Sequence, residues 1–399
     1  MKKCYLLLLC SCVTSTAAHA DLSETFSPFV ATNFNYNSNL FALQNDQTAL
    51  SVLGSTQTSD YISTFMAGVN MNWKLSQQTL TGHAIVNQSW FNTYKTLDNN
   101  GSDLALQWNW VVDDSLLGTI GATETTQLGN LTYIQQPLSD IFTIKTAFFT
   151  GGVKLDDRWQ LNFGANSTRY TNSATSMQPY NLTLSSVNAG IQYMTTKGSK
   201  VEWNSQLTNG VYPGIQYNGI VPATDKFTQT DNGITLNWIS SGKTQLSGGI
   251  NYTQHISPDN PAQSYAGMTG RIDANWAITG KTSLDLALYR NIMPYDTATT
   301  GYEFVQGGTL IFTWLATAKI TANLRLLNDS VDFPVDSGFA ATGAAPMHIR
   351  MDIASIGVNY LILRNTKLAL NAERGVRAAN TAGFSYTYNS VTLGLQQSF

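Results

Sequence analysis

The sequence predicts an all-β fold, a transmembrane antiparallel β-barrel of about eighteen strands with short turns at one end and longer loops at the other. Three observations predict it. Alternating apolar and polar segments recur with a period of roughly forty residues, each pair joined by a short polar turn. The segments run about ten residues or more, longer than the roughly 5–6 of a soluble strand and matched to a tilted bilayer crossing. Seven of the nine tryptophans, Trp73, Trp110, Trp159, Trp203, Trp238, Trp276 and Trp314, stand within a few residues of a short turn. Indole prefers the headgroup level, so this clustering marks an aromatic girdle at one membrane face.

Composition agrees. Charged residues make up only 12% of the chain, about half the usual share. Thr (48) and Asn (34) replace them, which disfavours a helical protein. The formal net charge of −3 gives no sign of a nucleic-acid binder.

Taken in order, residues 1–20 read as a signal peptide. Lys2 and Lys3 precede an apolar stretch, and Ala18-His19-Ala20 forms an A-x-A cleavage signal. The mature chain then starts at Asp21 and runs to 399 as one barrel. All three cysteines lie in the leader, so an exported chain carries no disulfide. A first strand covers about 26–36. Turns follow at 75–78, 113–115, 156–158, 197–200, 240–243, 279–281, 317–319 and 364–367, joining sixteen strands, and a last strand covers about 383–399. The longer connections fall between these pairs. Two could narrow the pore. Segment 37–60 carries Leu40, Phe41, Leu43, Leu50, Val52 and Leu53, and segment 328–349 carries Phe333 and Phe339.

Alternation assigns faces. Met268, Gly270, Ile272, Ala274 and Trp276 oppose Thr269, Arg271, Asp273 and Asn275. A charge on the lipid face at mid-depth costs about 2–4 kcal/mol for Arg or Lys, so charged strand residues are assigned to the lumen. The expected pore lining is Glu202, Asp231, Arg271, Asp273, Asp285, Arg325 and Asp352, with Asp103, Glu373, Lys154 and Arg158 also inside. His83 faces the lumen, His255 ends a strand, and His348 lies in a loop. No His pair has metal-ligand spacing, and neither metal nor cofactor is expected. His255 with Ser257 and Asp259 is the best local cluster for a surface enzyme, but its loop contains Pro258 and no catalysis is expected.

Tyr36-Asn37-Ser38-Asn39-Leu40-Phe41-Ala42-Leu43 follows an aromatic first strand. This opening resembles that of the EpsL-like outer-membrane β-barrel porins, although that family usually has Arg where this chain has Ala42. The resemblance implies a Gram-negative outer-membrane pore for polysaccharide passage or export, working with an exopolysaccharide and its periplasmic machinery. Composition and spacing alone imply a passive channel whose certain partner is the lipid bilayer. A general diffusion porin for small solutes, or a barrel anchoring an enzyme or adhesin, are the alternatives.

Overall fold

The computed structural model describes residues 25–213, 226–258, 261–294, 302–334 and 346–399. The leader, the start at Asp21, Asp259 and Phe339 lie outside the described residues.

Eighteen strands form one sheet. The first nine are β1 (Phe26–Asn37), β2 (Asp60–Leu75), β3 (Gln78–Phe91), β4 (Asn99–Val112), β5 (Leu116–Leu128), β6 (Ile141–Lys154), β7 (Trp159–Asn172), β8 (Leu182–Met194) and β9 (Lys200–Val211). The second nine are β10 (Lys226–Ile239), β11 (Thr244–Ile256), β12 (Tyr265–Ala277), β13 (Thr282–Pro294), β14 (Tyr302–Leu315), β15 (Ile320–Phe333), β16 (Met347–Leu363), β17 (Thr366–Ala379) and β18 (Tyr386–Ser398). Each pairs antiparallel with its sequence neighbours, and β1 pairs with β18 from Phe29↔Ser398 to Asn37↔Ser390. The sheet is therefore a closed ring, with every strand paired on both sides.

All eight short turns fall where expected. Backbone twist and small polar residues make them tight. Ser76, Asp113 and Asp114 take left-handed φ of 57°, 52° and 53°, a region short polar side chains tolerate, and Gly198 takes +82°. Asp156 accepts from the amides of Arg158 (2.7 Å) and Trp159 (2.8 Å), which hold its carboxyl below the usual range. The strands obey alternation. On the outward rows stand large exposed apolar groups such as Val86, Leu106, Ile120, Ile234, Ile272 and Ile356. The inward rows carry Asn, Thr, Gln and charged groups, as the lipid-outside, water-inside arrangement requires.

The tightest apolar packing is not between sheet layers but in the long loops. The β1–β2 loop holds helix α1 (Asp46–Leu53), and the β5–β6 loop holds the helical turn α2 (Leu131–Ile134). Asn45 caps α1 by accepting from Thr48 N, and Gly54 ends it at φ +68°. Leu40, Phe41, Leu43 and Ala49 from the first loop bury against Phe91, Leu97 and Leu131. Phe41 is fully buried and meets the Tyr94 ring edge-on at 4.7 Å.

The 328–349 expectation needs correction. Residues 328–333 finish β15 and 347–349 begin β16, because alternation continues through Asn328, Asp329, Ser330 and Val331 and the ladder keeps pairing. His348 is likewise a strand residue, bonded to Asp332 at 2.6 Å.

Candidate permeation pathway

The inner wall starts from strand parity. Glu202 (β9), Asp231 (β10), Arg271 and Asp273 (β12), Asp285 (β13) and Arg325 (β15) all occupy inward rows, opposite the apolar rows that begin at Trp203, Ile234, Ile272, Leu286 and Leu324. Asp103, Glu373 and His83 share that face, and His83 Nε2 lies 3.2 Å from Asp103. Arg158 sits in a turn rather than on the wall.

Asp352 is different. It shares the outward row of Ala354, Ile356 and Val358, pairs with Asn328 across the ladder, accepts from Asn328 at 2.5 Å and is bridged by Arg350 at 3.0 Å. The expectation that it lines the pore is overturned. The cost of a charge in lipid, which assigns Asp352 to the lumen, falls to about 0–1 kcal/mol near the membrane interface. Asp352 is five residues from the loop end of β16 and carries its own counter-ion.

The inward charges are unequal. Arg271 clamps Asp273 with Nη2 at 2.7 Å and Nε at 2.8 Å. Arg325 lies 3.9 Å from Glu373, which also accepts from the Tyr388 hydroxyl at 2.6 Å. Glu202, Asp231, Asp285 and Asp329 have no ion-pair partner among the described residues and are satisfied by neutral donors or left to water. Thr253 donates to Asp231 at 2.5 Å and Gln229 at 2.9 Å. Asn275 donates to Asp285, and Tyr289 to Asp329. Two recesses open on this wall. One, of about 450 Å³, is lined by Asn109, Thr119, Gln160, Asn162, Asn188 and Glu202. The other, of about 270 Å³, is lined by Gln229, Asp231, Asn251, Thr253, Thr269 and Asn291. Both share Asn204 and Gln206.

Sequence reasoning missed the groups that narrow the bore. The β5–β6 loop (129–140) turns inward. Its Gln135, at φ 54°, donates to the Ala42 carbonyl at 2.9 Å, and Gln44 accepts from Gly383 N at 2.8 Å. Three loops, from β1–β2, β5–β6 and β17–β18, are thus tied together over the mouth. Tyr133 extends from this layer. Lost hydration pushes the Tyr133 hydroxyl above its ordinary range, Glu303 adding to the shift and Arg377 opposing it. Its side chain is 60% exposed. Gln135 also donates to the Gly383 carbonyl at 3.4 Å, so this loop reaches the β17–β18 loop, far around the ring of eighteen strands. Leu131, the apolar residue that anchors this loop, was the available signal.

The tryptophans are also placed. Trp73, Trp110, Trp159, Trp203, Trp238, Trp276 and Trp314 all occupy outward rows near the short turns, six of them 41–53% exposed, while Trp110 stacks on Phe149 at 6.4 Å.

No family model and no curated protein matches this chain, so the EpsL-like resemblance of residues 36–43 is not upheld. Those residues have a structural job instead: Asn39 brackets Leu43, accepting from its N at 3.0 Å and donating to its O at 2.8 Å, which folds Leu40 to Leu43 into the loop core. Solved structures do match. Pseudomonas aeruginosa OccK2 (OpdF) aligns with TM-score 0.53 at 10% identity over 94% of this chain and 98% of that one. P. aeruginosa OccK9 (OpdG) aligns with TM-score 0.52 at 11% identity, over 94% and 99%. P. aeruginosa OpdK with vanillate aligns with TM-score 0.50 at 10% identity, over 94% and 99%. The shared fold is the closed outer-membrane porin barrel, and the Gram-negative outer membrane is where this chain resides.

Proposed function

We propose that the protein is a passive channel for small hydrophilic solutes, favouring neutral hydroxylated and cationic ones. The observation that carries this reading is the layer of loops tied over the mouth, where Gln135 donates to the Ala42 and Gly383 carbonyls and Leu131 buries against Leu40 and Phe41. A polymer strand needs a continuous bore, and the interlocked loop layer argues against polysaccharide export, the reading first drawn from residues 36–43. OccK2 has been solved with glucuronate and OpdK with vanillate. The lumen chemistry here points to a different preference, because the unpaired carboxylates of Glu202, Asp231, Asp285 and Asp329 repel anions. Amide-rich recesses supply hydrogen bonds to hydroxyls at low specificity.

Planar-bilayer recording under a potassium chloride gradient tests charge, and proteoliposome swelling tests size. The reversal potential should move toward that of potassium, and a pentose should enter much faster than a linear pentasaccharide. Chloride selectivity, or equal entry of both sugars, would sink the proposal.

A further inference from the structure

On the outer face of β5, β6 and β7, three charged residues stand side by side. Glu124, Lys145 and Arg169 are direct cross-strand partners in one row. Their row is the lipid-facing one, continuous with Leu104 and Ala84 on one side and Thr183 on the other. Lys145 Nζ meets Glu124 Oε1 at 3.0 Å. Arg169 is exposed and makes no hydrogen bond or ion pair among the described residues.

The height of this row is fixed by β7 itself. Arg169 lies ten residues from Trp159 on the same outward row. At about 3.3 Å per residue and a tilt near 40°, that is roughly 25 Å along the membrane normal, the height of the apolar band. Trp159 marks the periplasmic interface, so Arg169 stands at the outer-leaflet headgroups. There an arginine is tolerated, but it still lacks a counter-ion. Below the charges the wall is hollow. Small side chains at Ala122, Ala147 and Ser167 floor an external groove of about 580 Å³, with Ala84, Leu104 and Leu106 along one flank. A cationic head above an apolar trough matches one occupant by charge and shape.

We propose that this groove binds a phosphorylated, acylated glycolipid of the outer leaflet, its phosphate on Lys145 and Arg169 and an acyl chain along the alanine floor. The guanidinium can grip two phosphate oxygens at once, and Lys145 adds a point charge. Glu124 holds Lys145 when the groove is empty and competes with the phosphate when it is filled. This site is independent of what passes through the lumen.

Native mass spectrometry of the detergent-solubilised protein, titrated with bisphosphorylated lipid A, tests it. Wild-type protein should hold one lipid per chain, with its dephosphorylated form binding at least tenfold more weakly. The Lys145→Ala/Arg169→Ala double variant should lose about tenfold in affinity while keeping its heat-modifiable gel mobility. Glu124→Gln should bind more tightly than wild type. Equal binding of the two lipid forms, or unchanged binding in the double variant, would overturn the site. Should the double variant fail to fold, Glu124→Gln decides alone, and no gain in affinity overturns it.

Discussion

Arg271, Ile272 and Asp273 put two opposite environments on three consecutive residues of β12. Arg271 and Asp273 clamp each other in water on the inner wall, and Ile272 between them faces lipid and is 47% exposed. Their side chains stay 52% and 39% exposed, so screening limits the pair to about 0–1 kcal/mol. Replacing Asp273 with Asn should therefore change unfolding free energy by less than about 1 kcal/mol. Ile272→Arg should lower it by about 2–4 kcal/mol if the residue lies near the midplane. Urea titration of the protein folded into phospholipid vesicles measures both, and a larger loss for the Asp273 variant would invert the face assignment. Parity made these residues legible in sequence. Asp352 was not, because a charge penalty without depth cannot tell an interfacial position from the bilayer centre, and Arg350 beside it gave no cue that both point outward.

At the scale of elements, turns and loops obey different physics. A short turn depends on a few local side chains, as Asp156 and Gly198 show, so all eight could be read from sequence. The loop of residues 129–140 owes its inward path to Ala42 and Gly383, neither of them near it in the chain. Apolar content in 37–60 foretold a packed loop, and Leu40, Phe41 and Leu43 are indeed buried. One leucine, Leu131, was too little to foretell the second. Replacing 130–139 with a short Gly-Ser link should raise single-channel conductance severalfold and speed pentasaccharide entry in swelling assays. It should leave the barrel intact, because loops over a closed ladder are not needed to complete it. Unchanged conductance would mean the narrowest point lies elsewhere.

For the whole molecule, the outward face is banded. Tryptophans gather at the short-turn end, whereas Lys145, Arg169, Arg290, Arg350 and Arg374 occupy outward rows toward the loop end. The two ends of the barrel thus present different chemistries to the two interfaces of the membrane. Trp238 and Trp276, each kept as the sole tryptophan of the chain, should be quenched by lipids brominated close to the headgroup more than by those brominated near the acyl ends. Deeper quenching from the bilayer centre would place the whole barrel at the wrong height.

The pairing of β1 with β18 reaches beyond sealing an edge. Phe399 N bonds to the Pro28 carbonyl at 2.9 Å, so contacts separated by nearly the whole chain length hold the first and last strands together. Along a ring, sequence order loses its meaning as a spatial coordinate: no strand is first, and none is peripheral. An arc of seventeen strands would leave two raw borders of unpaired amides and carbonyls in hydrocarbon. Assembly is consequently a single decision taken at the seam, with the intermediate arcs penalised until the circle shuts.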